Sequence, residues 1–165
     1  MATTTADRGG TYPAEARTTD TAPADWGDAR FQAYLVLRTA FVAAPILFGI
    51  DKFFNWMTYW PKYLWIGIPN VISVSPQHFM YAVGVVEIAA GLLVLAWPRV
   101  GAWVVAAWLA GIVTNLVIQS IAIGGHTAVF WDIALRDFGL MLAAIALARL
   151  AAVFAPALPF GGKSR

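Results

Sequence analysis

Cysteine is absent from this 165-residue chain. That excludes a disulfide-stapled secreted scaffold, dithiol redox chemistry, thiolate metal sites and a cysteine nucleophile. Charge is nearly as scarce. Asp, Glu, Lys and Arg make up 12% of the residues and apolar types 60%, whereas a soluble domain carries about 25% and about 45–50%. Seven of the charged residues fall within the first 28 positions, leaving 13 for the other 137. So few charges do not cover a water-exposed surface, and an integral membrane domain with a polar tail remains. The net charge of +2 is small and the basic residues are scattered, so nucleic acid is excluded as a partner. Histidine is limited to His78 and His126. Neither lies deep in an apolar run, which disfavours a haem clasped between helices and assigns both to caps and loops.

What is present is apolar and continuous. After a Thr-, Ala-, Asp- and Pro-rich tail (residues 1–28), four runs follow at about 31–54, 78–97, 100–123 and 130–154. Each approaches the ~20 residues that cross a bilayer core as a helix. None alternates with the period of two that a membrane strand shows. The tail buries too little surface to offset chain entropy and is expected to be disordered. The first apolar run starts too late for a cleaved signal peptide. The expected fold is therefore all-α: an integral membrane four-helix bundle over 29–155, both termini cytoplasmic, with a disordered N-terminal tail and a short C-terminal tail from 156 to 165.

Local punctuation agrees with these limits. Ser75 and Pro76 suit the N-cap and first position of the second helix. Trp97-Pro98 forces a tight hairpin, Gly124-Gly125 stops the third helix, and Pro156 follows the fourth. Pro45 lies inside the first helix and predicts a kink. Arg8, Arg17, Arg30, Arg99, Arg149, Lys163 and Arg165 gather at one side, against Lys52 and Lys62 at the other, and this bias sets the orientation. The long loop with Trp56, Tyr59, Trp60, Tyr63 and Trp65 then lies on the outer side. It reads as an interfacial aromatic belt or as a lid over an outer-leaflet site. Small residues four apart predict helix seams at Ala102/Ala106/Ala110, Ala107/Gly111, Gly139/Ala143, Ala144/Ala148 and Ala40/Ala44. Any of these seams would also serve a homo-oligomer.

The polar residues inside the runs carry the functional information. Glu87 lies mid-span, where a charge is costly, so it must be paired, protonated or beside water. Asp51, Lys52, Asn115, Gln119, Asp132, Arg136 and Asp137 fall in the outer half. Arg38 lies near the inner end, positioned to snorkel to lipid phosphate. Asp132 and Arg136 stand four apart in the favourable acid-first order, and Asp137 points away toward Lys52 or another helix. Four acids against two bases leave an excess of negative charge, which makes Glu87 the candidate for a neutral form. Two readings stay open: a packing network, or a site for a polar head group such as a quinone ring or for a proton route.

The stretches FGIDKFFNW, YAVGVVEIAAGLLVL and WDIALRDFGLMLAAIALARL, spread across residues 34–152, resemble the DoxX-like family of small four-helix membrane proteins. On that resemblance Lys52, Glu87 and Asp137 match the family's polar positions, with Arg136 as the basic neighbour. Pro45, the tail and the Trp-rich loop have no match in it. The resemblance implies a bacterial cytoplasmic membrane and a redox-enzyme partner subunit. It implies no intrinsic cofactor. Without thiols, electrons would pass through a partner's cofactor or a bound quinone. The leading expectation is an accessory membrane subunit of a redox, quinone-linked complex, non-catalytic alone. The alternatives are a small-solute or proton-coupled transporter using Glu87, and a structural assembly subunit without a ligand.

Overall fold

The computed structural model describes residues 26–65, 67, 73–124 and 130–155. The structure is all-α among these residues. Four helices dominate: α1 (Ala29–Phe54), α2 (Pro76–Ala96), α3 (Pro98–Gly124) and α4 (Trp131–Phe154), with a short 3-10 helix at Trp60–Tyr63. All four long helices are long and apolar enough to cross a membrane. Their limits lie within about two residues of those the apolar runs predict. Most of the tail, His126, Gly125 and Pro156 lie outside the described residues.

The helix ends follow from capping chemistry. A helix leaves its first N–H and last C=O groups without internal partners. At α1 the Asp28 carboxylate accepts the Arg30 backbone N–H at 2.9 Å and also holds the Arg30 guanidinium at 2.8 Å. At α2 the Ser75 hydroxyl accepts the His78 N–H at 3.3 Å, and Pro76 occupies the first turn, as the sequence predicts. The same hydroxyl bonds His78 Nδ1, so this histidine is part of a cap. α1 ends at Asn55, whose φ of 54° is left-handed and whose N–H returns to the Asp51 carbonyl. Pro45 stays inside α1, which continues past it at the loss of one backbone donor.

The helices run up and down, so the chain ends of the bundle lie together. Phe31 and Tyr34 of α1 place their rings 5.5 and 5.8 Å from Phe154 of α4. The α2–α3 turn is at this same, terminal, end. There Arg99 donates to the carbonyls of Ala151 and Ala152 at 3.0 and 2.7 Å, closing the C-terminus of α4. Arg38 does the same for α2, donating to the Leu95 carbonyl at 2.6 Å. A carbonyl at a helix C-terminus is unpaired and partly negative, so it attracts a guanidinium.

α1 packs closely on α2 and α3 on α4, while the α2–α3 and α1–α4 contacts are looser. α1 and α2 cross through two glycines. A Cβ on Gly49 would lie 2.7 Å from the Gly84 carbonyl oxygen, and one on Gly84 would lie 2.6 Å from that of Gly49. Neither position has room for a side chain, so the two backbones touch. In the α3–α4 pair, Ala102, Ala106, Ala144 and Ala148 are buried around Leu147. The other expected seams are corrected. Ala107, Gly111 and Gly139 are exposed, and a Cβ on either glycine would meet nothing. Four-residue spacing of small residues recurs on every face of an alanine-rich helix, so it does not select the packed one.

Candidate functional site

The polar cluster is assembled at the loop end by helix geometry. α1 and α2 are antiparallel, and Glu87 lies about one turn deeper than Lys52. Helical side chains lean toward their own N-terminus. Lys52 therefore leans inward and Glu87 outward, and the two converge. The Lys52 ammonium donates to the Glu87 carboxylate at 2.6 Å, with both side chains buried. Of the three ways to keep a carboxylate at mid-span, the fold uses pairing.

Lys52 has a second neighbour. The Trp60 ring lies 3.8 Å from its Nζ, within cation–π distance. Trp60 is held there by its own indole N–H, which donates to Asp51 at 2.7 Å. Asp51 also accepts the backbone N–H groups of Trp56 and Met57, at 3.0 and 3.1 Å. One buried carboxylate thus folds the start of the loop back over the end of α1. Asn115 fixes the far side of the loop. It accepts the Trp65 N–H at 3.1 Å and donates to the Tyr63 carbonyl at 2.7 Å. Asn55 and Gln77 join α1 to α2 at the rim, 3.2 Å apart, and Gln77 also donates to the Lys52 carbonyl.

The aromatic loop therefore divides. Trp56 and Tyr59 are exposed, as a belt requires, whereas Trp60 and Tyr63 are half-buried over the cluster. Tyr63 meets Phe130 edge to face at 5.4 Å.

Other expected members are placed differently. Arg136 does not pair with Asp132. It reaches Asp137, its neighbour in sequence, at 2.9 Å. Asp137 is buried and Asp132 exposed, and a desolvated carboxylate attracts a guanidinium more strongly than a hydrated one. Asp137 faces Lys52 closely enough to act on its charge, while the carboxylate bonded to Lys52 is that of Glu87. Asp132 stays in the first turn of α4, where helix N–H groups favour an anion. Gln119 is buried, and its Oε1 has no hydrogen-bond partner among the described residues, nor has the Ser120 hydroxyl, whereas the buried Trp108 indole N–H faces the Glu87 carboxylate.

Below the ion pair lies a cavity of about 190 Å³ between the two helix pairs. Phe41, Pro45 and Phe48 of α1, Leu109 and Ile112 of α3, and Leu140 of α4 form much of its apolar wall. Glu87 and Trp108 supply its polar edge. Trp108 was not among the expected site residues. Its spacing from Ile112, Asn115 and Gln119 places all four on one face of α3, and that spacing could have revealed it.

No family model matches this chain, and neither a curated protein nor a solved structure matches it.

Proposed function

We propose that this chain is an accessory membrane subunit of a redox system and holds a quinone-class ring in the cavity beside Glu87. The observation that carries the reading is the cavity's composition: an apolar pocket with one carboxyl group and one buried indole N–H facing it at its edge. An apolar pocket with a few convergent polar groups is the usual form of a small-ligand site. An engineered apolar cavity of roughly 150 Å³ admits benzene, so about 190 Å³ suits a single substituted ring.

In this reading the Trp108 N–H donates to a ring carbonyl, and Phe41, Leu109 and Ile112 exclude water. Lys52 holds Glu87 at the edge of the chamber and fixes its direction. A quinone-class ring carries electrons and protons in pairs between redox partners. The protein's part is to hold the ring and present a carboxyl group beside it. The similarity of the Lys52, Glu87 and Arg136-Asp137 positions to the DoxX-like pattern supports the redox assignment. The Arg-rich terminal end supports a cytoplasmic location for both termini in a bacterial cytoplasmic membrane.

Purification in native lipid discs followed by mass spectrometry tests this. A co-retained ring compound or redox subunit is expected in the wild type and is reduced in Trp108→Phe. A clean homomer that retains neither, and that moves solute across liposomes under a pH gradient, would overturn it in favour of transport.

A further inference from the structure

Every charged side chain of α1, α2 and α3 is answered within the chain. Arg30 has Asp28, Lys52 has Glu87, and Asp51 accepts three N–H groups. Arg38 and Arg99 reach helix carbonyls. α4 differs at its loop end. Asp132 is exposed and makes no hydrogen bond or ion pair among the described residues. Arg136 uses only its Nε, on the buried Asp137, and its side chain is 62% exposed. A guanidinium carries five N–H donors, so the Nη groups of Arg136 are left over.

Both residues lie on a face of α4 turned away from the bundle. Leu135, Gly139, Leu142 and Ala146 continue that face at three- and four-residue spacing, and all six are exposed. A Cβ on Gly139 would meet nothing within 4 Å. A mid-helix glycine is less favourable than alanine, and the packing of a single chain gives no reason for one there. A second helix against this face does, because glycine lets two backbones approach. α3 also exposes a glycine, Gly111, between Ala107 and Thr114. That face carries no charge, and the Thr114 hydroxyl already donates to the Ala110 carbonyl at 2.8 Å. Charge singles out α4.

The charges on this face complement a second copy of the face. Copies of one chain share their orientation in a membrane. A two-fold axis along the membrane normal therefore sets α4 parallel to its counterpart, with equal residues at equal depth. Asp132 stands about one 5.4 Å turn nearer the loop end than Arg136. Helical side chains lean toward their own N-terminus, which for α4 is the loop end. The Arg136 guanidinium is thus carried toward the depth of Asp132. Asp137 holds its Nε edge from inside the bundle and leaves the Nη groups for a neighbour.

We propose that the chain forms a two-fold symmetric homodimer through α4, in which Arg136 of each copy pairs with Asp132 of the other and Gly139 lies at the crossing. The pairing is reciprocal, so one interface contains two ion pairs, strengthened by the low dielectric around them. It does not depend on what the inner cavity holds.

The test counts copies of the full, dye-labelled chain by single-molecule photobleaching in phosphatidylcholine vesicles over a range of protein densities. Wild type is expected to pass from one copy to two as density rises. Asp132→Arg sets like charges face to face and should weaken association by about tenfold or more. Gly139→Leu should weaken it comparably while leaving the unfolding midpoint in lipid unchanged, since its side chain meets nothing in its own chain. Asp132→Arg mixed with Arg136→Asp restores both pairs, so the two variants should associate with each other and not with themselves. If Arg136→Asp does not accumulate, Asp132→Arg and Gly139→Leu decide the matter alone. Wild type that stays single at every density would overturn the dimer. A wild-type dimer that both single variants leave within about twofold would place the interface on another face and overturn the proposal equally. Folded variants that fail to associate in the mixture would overturn the reciprocal pairing.

Discussion

Inside the terminal end of the bundle the helices meet through alanine and leucine, with Arg38 and Arg99 confined to its rim, and at the loop end they meet through ion pairs, amides and an indole. Ala102, Ala144, Leu147 and Ala151 are fully buried, and that region needs no polar side chain inside it. One span away, Asp51, Lys52, Glu87, Gln119 and Asp137 are buried as well. The first region is specified by shape, since small residues let backbones approach and one leucine fills the remainder. The second is specified by partners, since each buried charge needs a particular group at a particular depth. The cavity lies where one regime gives way to the other, because neither close packing nor a complete polar network extends across it.

The comparison breaks most directly at Glu87. Glu87→Leu leaves the Lys52 ammonium buried without its carboxylate and should cost about 3–5 kcal/mol in a reversible unfolding assay in lipid or mild detergent. Adding Lys52→Met removes the stranded charge and should recover most of that loss. A double variant no more stable than the single one would show that the pair is not what ties α1 to α2. In the shape-specified region, Leu147→Ala should cost about 2–5 kcal/mol through the void it leaves, and no second truncation should restore it. Gly84→Val drives a side chain into the Gly49 carbonyl and should cost about 1–3 kcal/mol. Gly111→Val, which points into open space, should stay within about 0.5 kcal/mol in the same assay. Equal effects at the two glycines would remove the close α1–α2 crossing as an explanation.

The smallest expected effect is at the entrance to α1. The Arg30 side chain and backbone N–H hold the Asp28 carboxyl below the usual carboxylate range. Its folded-state pKa is depressed relative to the unfolded chain, so the capping contribution is complete above the ordinary carboxylate pKa. It is lost as pH falls through the lowered value. Hydrogen exchange of the first α1 turn should accelerate, relative to the intrinsic rate, only in that acid window. Asp28→Asn keeps a capping oxygen and should abolish the pH dependence.

The bundle and its limits were legible because apolar runs, Ser75-Pro76 and Trp97-Pro98 act locally. The polar residues were legible as a set, because few alternatives exist in so apolar a chain. Their pairing was not. Lys52 and Glu87 are 35 positions apart, and their meeting depends on the register of α1 against α2, which the Gly49–Gly84 contact sets. Arg136 shows the same limit from the other side. Its spacing from Asp132 favours an i,i+4 pair, and differential burial of two carboxylates, a tertiary property, reverses the choice. Trp60 reads as one more belt aromatic until Asp51 is seen to hold its indole.

The Lys52–Glu87 link also bears on how the chain enters its membrane. On the insertion scale a lone charged side chain at the centre of a helix costs about 2.5–3.5 kcal/mol. α2 presented alone would carry Glu87 at mid-span with nothing to answer it. Presented as a hairpin with α1, the two charges neutralise one another over 2.6 Å before either faces hydrocarbon. The long loop between them, gathered back by Asp51, keeps the two helices within reach during that step. The ion pair then favours delivery of the first two spans together, with Lys52 and Glu87 already matched, and α3 and α4 following as a second pair.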